Sequence, residues 1–185
     1  DEALASYTQA IALKPDYAEA HSNLGNTLKE LARLDEALAS YTQAIALKPD
    51  FVEAHSNLGN TLKELGRLDE AETSLRQAIA LKPDYALAHS NLGNTLKELA
   101  RLDEALASYT QAIALKPDYT KAHYNLGNTL TKMGRLNEAE ASFTQAIVLK
   151  PDYAEAHNNL GNSLQEQGRL DEAEASFTQA IALKP

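Results

Sequence analysis

Residues 18–51 read AEAHSNLGNTLKELARLDEALASYTQAIALKPDF, and this stretch decides the fold. Its proline, Pro49, has counterparts at Pro15, Pro83, Pro117, Pro151 and Pro185, each 34 residues from the next. Residues 86–119 repeat the stretch and differ only at Glu19/Leu87 and Phe51/Tyr119. A fixed period of about 20–50 residues marks a chain that stacks one small unit many times.

Two stripes of apolar and small residues run through the unit. The first falls at Ala20, Leu24, Gly25, Leu28 and Leu31, and the second at Leu34, Ala37, Leu38, Tyr41, Ala44, Ile45 and Leu47. Both have helical spacing. The unit therefore predicts two helices, A and B, joined by a short turn around Ala32-Arg33. Gly66, Gly134 and Gly168 occupy that turn in other copies, where a left-handed backbone is cheap for glycine.

Pro49 ends helix B, because proline lacks an amide proton and disfavours helix in the residue before it. Lys48 is expected in the last turn, where the carbonyl end of a helix attracts cations. Asp50 is read as the cap of the next helix A. With a Glu three residues on, it predicts a capping box at Asp16/Glu19, Asp50/Glu53 and Asp152/Glu155. Asp35 and Glu36 put negative charge at the start of helix B. Gly25, Gly59, Gly93, Gly127 and Gly161 sit inside helix A, where glycine costs roughly 1 kcal/mol against alanine. The reading is that a neighbouring backbone comes close there, with Ala37 and Ala44 as small partners. Tyr41 would fill the larger gap, as would Leu75, Phe143 and Phe177.

The run Leu24-Gly25, Ala37, Tyr41, Ala44, Pro49 resembles the tetratricopeptide repeat, with its Trp-x2-Leu-Gly-x2-Tyr, Ala-x3-Phe and Pro signature. The likeness covers the whole chain. His21, His55, His89, His123 and His157 stand at the Trp position, and Leu28, Leu62, Leu96, Leu130 and Leu164 at the first Tyr position. The Asn-Leu-Gly-Asn run with this His is similar to the long superhelical arrays of O-linked N-acetylglucosamine transferases. The expected fold is all-α: a right-handed superhelical solenoid of antiparallel helix pairs, eleven helices in all. Residues 1–17 read as a partial repeat of helix B alone. Full repeats follow at 18–51, 52–85, 86–119, 120–153 and 154–185, in one solenoid domain that reads as part of a longer array.

A net charge of −9 argues against nucleic acid, which needs clustered Lys and Arg. The absence of cysteine excludes disulfides and thiolate metal sites. No apolar run is long enough to span a bilayer, so membrane partners are not expected. The compartment is left open, with the cytoplasm favoured. No cofactor is expected.

The candidate site is a pair of asparagines on every helix A: Asn23/Asn26, Asn57/Asn60, Asn91/Asn94, Asn125/Asn128 and Asn159/Asn162. Their i, i+3 spacing puts each pair on one face. The resemblance implies that helix A lines the concave surface, so the amides would form two ladders along a groove. An amide donates and accepts together and can grip a peptide backbone without reading its side chains. The competing reading has one Asn of each pair bonding to the next repeat and only holding the stack. Lys29, Lys63 and Lys97, one turn beyond, and Tyr124 complete the expected peptide-binding set. A carboxylate clamp, which the family builds from Lys or Arg at the Ser22-type and Asn23-type positions, is not expected, because Ser, Tyr or Asn stand there; Lys121 fits only part of one.

The histidines read as half-buried spacers. Equivalent positions on stacked helices lie about 10 Å apart, too far to share a metal whose ligands sit at about 2 Å. His21-Ser22 is no catalytic pair, since i and i+1 point to different faces, and no phosphate loop is evident. The chain is therefore read as a non-enzymatic interaction scaffold that binds protein or peptide partners. Two further readings remain. The chain ends or the bland outer face of helix B (Ala39, Ser40, Thr42, Gln43, Ala46) would serve self-association into tubes or filaments. Alternatively, the array would be the substrate-recognition arm of a larger glycosyltransferase.

Overall fold

A computed structural model describes residues 2–184; Asp1 and Pro185, the last of the recurring prolines, lie outside the described residues. Among the described residues the chain forms eleven α-helices and no strand: α1 (Glu2–Leu13), α2 (Ala18–Glu30), α3 (Leu34–Leu47), α4 (Val52–Glu64), α5 (Leu68–Leu81), α6 (Ala86–Glu98), α7 (Leu102–Leu115), α8 (Thr120–Lys132), α9 (Leu136–Leu149), α10 (Ala154–Glu166) and α11 (Leu170–Leu183). Even-numbered helices are A helices and odd-numbered ones B helices. They fall into two compact units, one ending at Leu99 and one starting at Ala100. In the first, α2 packs on α3 and α4 on α5, each pair antiparallel because three residues link its helices. α1 also packs on α2, α3 on α4, and α5 on α6. In the second, α8 packs on α9 and α10 on α11, with α7 against α8 and α9 against α10. A helices of neighbouring repeats touch directly: α2 with α4, α4 with α6, and α8 with α10.

The A-to-B turn is a backbone clasp. The Ala32 N–H donates to the Lys29 carbonyl and the Arg33 N–H to the Leu28 carbonyl, both at 2.9 Å. This crossed pattern needs a left-handed residue between the helices. The φ angle is 75° at Gly66, 71° at Gly134 and 78° at Gly168, and alanine is forced to 57° at Ala32 and 59° at Ala100. A Cβ at the three glycines would meet nothing within 4 Å. Glycine is therefore favoured there by its backbone freedom rather than by lack of room.

The B-to-A turn corrects the expected capping box. The Phe51 N–H donates to the Lys48 carbonyl at 3.1 Å, closing a four-residue turn with Pro49 inside it. Helix A starts at Ala18, Val52 and Ala154, at the head of each repeat, but its cap position is Tyr17, Phe51 or Tyr153, one residue beyond the aspartate, and none of these has a side-chain cap. Asp16, Asp50 and Asp152 are used up in the turn. Glu19 instead takes a hydrogen bond from its own backbone amide and another from Lys48 Nζ at 3.1 Å, and both hold its carboxyl below the usual range. Lys48 is the residue just past α3, and its ammonium also lies 4.9 Å from the Phe51 ring centroid.

The core has one motif. Leu28, Ala37 and Tyr41 pack together with Leu4, Leu24 and Leu58 around them. In the second unit Leu130, Ala139 and Phe143 do the same with Leu106, Tyr124, Leu126 and Leu160. Burying one such large side chain is worth roughly 1.5–3 kcal/mol. The interior glycines face these side chains, not a backbone as expected. A Cβ on Gly25 would lie 2.6 Å from the Tyr41 ring; on Gly127 or Gly161, 2.6 Å from Phe143 or Phe177. At Gly59 backbone crowds in as well, with the Ala71 carbonyl at 3.1 Å beside Leu75 at 2.6 Å. Leu31, expected in the stripe, is 38% exposed. Ser40, expected on the outer face, is buried and donates to the Glu36 carbonyl at 2.9 Å.

Two substitutions test these constraints. Ala32→Gly relieves a left-handed alanine at some cost in unfolded-chain entropy, and should stabilise the chain by about 0.5–1 kcal/mol. A thermal melt followed by circular dichroism should show Tm rising, and a fall would refute the strain. Gly127→Ala drives a methyl into Phe143. Overpacking of roughly 1–3 kcal/mol outweighs a helix-propensity gain of about 1 kcal/mol. The same melt should show a lower Tm; an unchanged one would mean that the ring has room to retreat.

Candidate functional site

The asparagine pairs occupy the middle of each helix A, bordering the Leu24-type core stripe. Asn23, Asn26 and Asn162 are exposed, and Asn57, Asn60, Asn91, Asn94, Asn125, Asn128 and Asn159 are half-buried. Bonds between repeats define the row. The Asn26 Oδ1 accepts from the Tyr41 hydroxyl at 2.7 Å and from Asn57 Nδ2 at 2.9 Å. Tyr41 is buried, and burial with the fields of Glu64 and Glu30 raises its pKa, so it stays a donor. In the second unit Asn159 Nδ2 donates to Asn128 Oδ1 at 2.7 Å and to the Tyr124 hydroxyl at 3.1 Å. Where helix B offers Leu75 in place of a hydroxyl, Asn60 turns instead to Glu64 Oε1 at 3.2 Å.

At the Asn26–Asn57 and Asn128–Asn159 junctions the first Asn of one repeat thus bonds to the second Asn of the repeat before it, which is what the purely structural reading expects. The bonding also leaves capacity to spare. At the Asn26–Asn57 junction both lone pairs of Asn26 Oδ1 are used, while its Nδ2 protons and the Asn57 Oδ1 take no part in these bonds. Donor and acceptor are held side by side in fixed orientation.

The lysines differ from expectation. Lys29 reaches Glu64 at 3.1 Å and Lys63 reaches Glu98 at 3.2 Å, so both charges are matched by the next A helix. Lys97 is half-buried. In the second unit the same position is Thr131, 3.4 Å from Ser163 Oγ, and Gln165. Tyr124 lies at the centre of a distinct patch. Its ring centroid is 4.9 Å from that of Tyr153 and 6.0 Å from that of Phe143. Burial beside Tyr124 pushes the Tyr153 hydroxyl up to about 12. A cavity of about 350 Å³ opens there, lined by Tyr124, Ala154, Asn158, Asn159, Ile181 and Lys184. A second, of about 480 Å³, is lined by Thr131, Asn159, Asn162, Gln165 and Glu166. Asn159 borders both.

The histidines are clasps. Nε2 of His21, His55, His89 and His123 lies 2.9 Å from the carbonyl of Pro15, Pro49, Pro83 and Pro117, and His157 lies 3.0 Å from that of Pro151. Each ring donates to the turn before its own helix. The constant Pro-x5-His spacing carried this signal, but periodicity read for helix faces does not look across a turn. The Tyr41–Asn26 bond was hidden for the same reason. Among the described residues no group of three or more His, Cys, Asp or Glu is placed to hold a metal ion. No helix among them is long and apolar enough to cross a membrane.

Comparison with known proteins agrees with this geometry. The model of the TPR repeat matches residues 1–32, 25–66, 59–100, 93–134 and 127–168, and that of the tetratricopeptide repeat matches 154–185. No protein among the curated sequences matches. Among solved structures, MamA is 27% identical, with 87% of this chain and 94% of that chain covered at a TM-score of 0.79. YrrB, described as a TPR protein with an unusual peptide-binding site, is 26% identical over 97% and 92%, with a TM-score of 0.74. TTC0263, a thermophilic TPR protein of Thermus thermophilus, is 28% identical over 91% and 92%, with a TM-score of 0.75. The chain belongs to the tetratricopeptide repeat family.

Proposed function

We propose that this chain is a protein-interaction scaffold that holds an extended peptide segment along its asparagine rows. The observation that carries the reading is the cross-repeat amide bond at Asn26–Asn57 and Asn128–Asn159. Each such bond costs the pair one donor and one acceptor and orients what remains. A ligand then meets amides already ordered, so less entropy is lost on binding. A peptide backbone offers alternating N–H and C=O groups, and the Asn26–Asn57 junction keeps complements for both in the Asn26 amide protons and the Asn57 oxygen. Many modest contacts of this kind give breadth of partners more than selectivity. The peptide-binding site named for YrrB supports the same class of ligand. The lysines at 29 and 63 take a lesser part, because their charges are already paired.

On the outer side of helix B, Thr42 borders a cavity of about 400 Å³ lined also by Ile45, His55, Leu58 and Leu62. Thr42 and Thr110 donate back to the Leu38 and Leu106 carbonyls at 2.8 and 2.9 Å, which commits their protons within the helix and leaves their oxygens able to accept. The same reading holds for a free-standing array and for the recognition arm of a larger glycosyltransferase, to which the Asn-Leu-Gly-Asn run is similar. The array contributes binding, and chemistry would reside elsewhere.

The test uses peptides selected from a random 12-residue display library against the parent chain. Replacing Asn57, Asn91 and Asn125 with Ala removes several hydrogen bonds of about 0.5–1.5 kcal/mol each. Affinity should fall about tenfold or more by fluorescence anisotropy, with the helical circular dichroism signal preserved. Unchanged affinity in the folded triple variant would remove the asparagine rows from the binding surface.

A further inference from the structure

The repeat at residues 120–153 departs from its siblings at one corner. In the repeat at 18–51, Glu19 near the start of helix A meets Lys48 beyond the end of helix B at 3.1 Å. In the last repeat, Glu155 meets Lys184 at 2.5 Å. The equivalent residues at 120–153 are Lys121 and Lys150. Repeat geometry sets two cations where these two repeats set an ion pair and the repeat at 86–119 sets Leu87 beside Lys116. Glu155 on the following helix feels Lys150, but its carboxylate is already held by Lys184 and by its own backbone amide.

A second departure lies beside the first. Tyr124, on the same helix face one turn from Lys121, replaces Ser22, Ser56 and Ser90. Its ring lies against Tyr153, and the Lys150 ammonium lies 5.2 Å from the Tyr153 centroid. Tyr124, Tyr153 and Lys150 thus form a cationic and aromatic patch, with Lys121 one helical turn from Tyr124 on the same face. It borders the cavity of about 350 Å³ where Asn158 and Asn159 converge, whose wall also carries the Glu155 carboxylate paired with Lys184. The patch is the reverse in sign of a chain whose net charge is −9.

We infer that this corner selects the ligand: it takes an acidic stretch of the bound peptide, with carboxylate side chains on Lys121 and Lys150 and an adjacent apolar side chain in the Tyr124 cavity. The inference rests on the peptide-binding reading above and adds direction to it. The asparagine rows hold any backbone. Lys121 and Lys150 fix where an acidic segment lies along them. Overall negative charge repels an acidic peptide elsewhere, so the preference is local and screened by salt.

The test uses three fluorescent 12-residue peptides of common sequence, Ser-Gly-Ser-Gly-X-X-Leu-Ser-Gly-Ser-Gly-Ser, with X as Ser, Asp or Lys. Affinities are measured by anisotropy at low salt. The Asp peptide should bind at least tenfold more tightly than the Lys peptide, and the ratio should shrink as salt rises. Lys121→Glu recreates the Glu19–Lys48 arrangement and should bring the ratio close to one, leaving the affinity of the Ser peptide unchanged. Tyr124→Ser should weaken all three severalfold. A ratio of one in the parent, or a ratio that Lys121→Glu leaves intact, overturns this inference alone when the Ser peptide binds. Failure of all three peptides to bind overturns both this inference and the peptide-binding reading.

Discussion

An aromatic ring resting on a glycine sets the geometry from which the rest of this molecule follows. Tyr41 occupies the space that a Gly25 side chain would need, and Phe143 and Phe177 do the same over Gly127 and Gly161. The contact draws helix B onto helix A until Ala37 and Ala44 are fully buried. It also brings the Tyr41 hydroxyl to Asn26. One packing contact therefore positions the first member of the polar row that runs between repeats. In the repeat at 18–51 helix spacing and the Asn26 bond share a physical cause, and a residue that fills the Gly25 notch disturbs both.

Much of this was legible in the sequence. The proline period and the two apolar stripes gave eleven helices and their boundaries to within a residue or two, because burial at helical spacing is written directly in residue order. The left-handed turn was legible too, since Gly66, Gly134 and Gly168 share one position and only the backbone demands them. The capping box was not. Asp50 has the right chemistry, yet the Lys48–Phe51 turn consumes it, and a hydrogen bond between backbone atoms leaves no residue pattern. The glycine notch was misassigned for a related reason. A small residue signals a close approach without saying whether backbone or ring makes it.

The asparagines show what a sequence leaves undetermined at a site. Two readings, structural link and ligand grip, stood as alternatives. The Asn26–Asn57 bond shows the structural link and is compatible with the proposed grip, because an amide has more hydrogen-bonding capacity than one neighbour uses. The lysines at 29 and 63 went the other way. Their position one turn beyond the amides was correct, but Glu64 and Glu98 come from the next helix A, 35 residues on, and meet them there. Charge pairing across repeats follows from stacking register, which no single repeat contains.

Near-identity among copies has a consequence for function. Where every repeat presents the same amides, a bound segment could shift by one repeat and find the same partners. Such a surface supplies affinity without register. Register must come from positions where the copies differ, and these differences are unevenly spread. Ser22, Ser56 and Ser90 agree, whereas Tyr124 and Asn158 do not; Lys29, Lys63 and Lys97 agree, whereas Thr131 and Gln165 do not. The second unit holds the exceptions, and its amides converge with them on the cavity beside Tyr124. In an array that binds an extended segment, uniform copies would grip and divergent copies would choose.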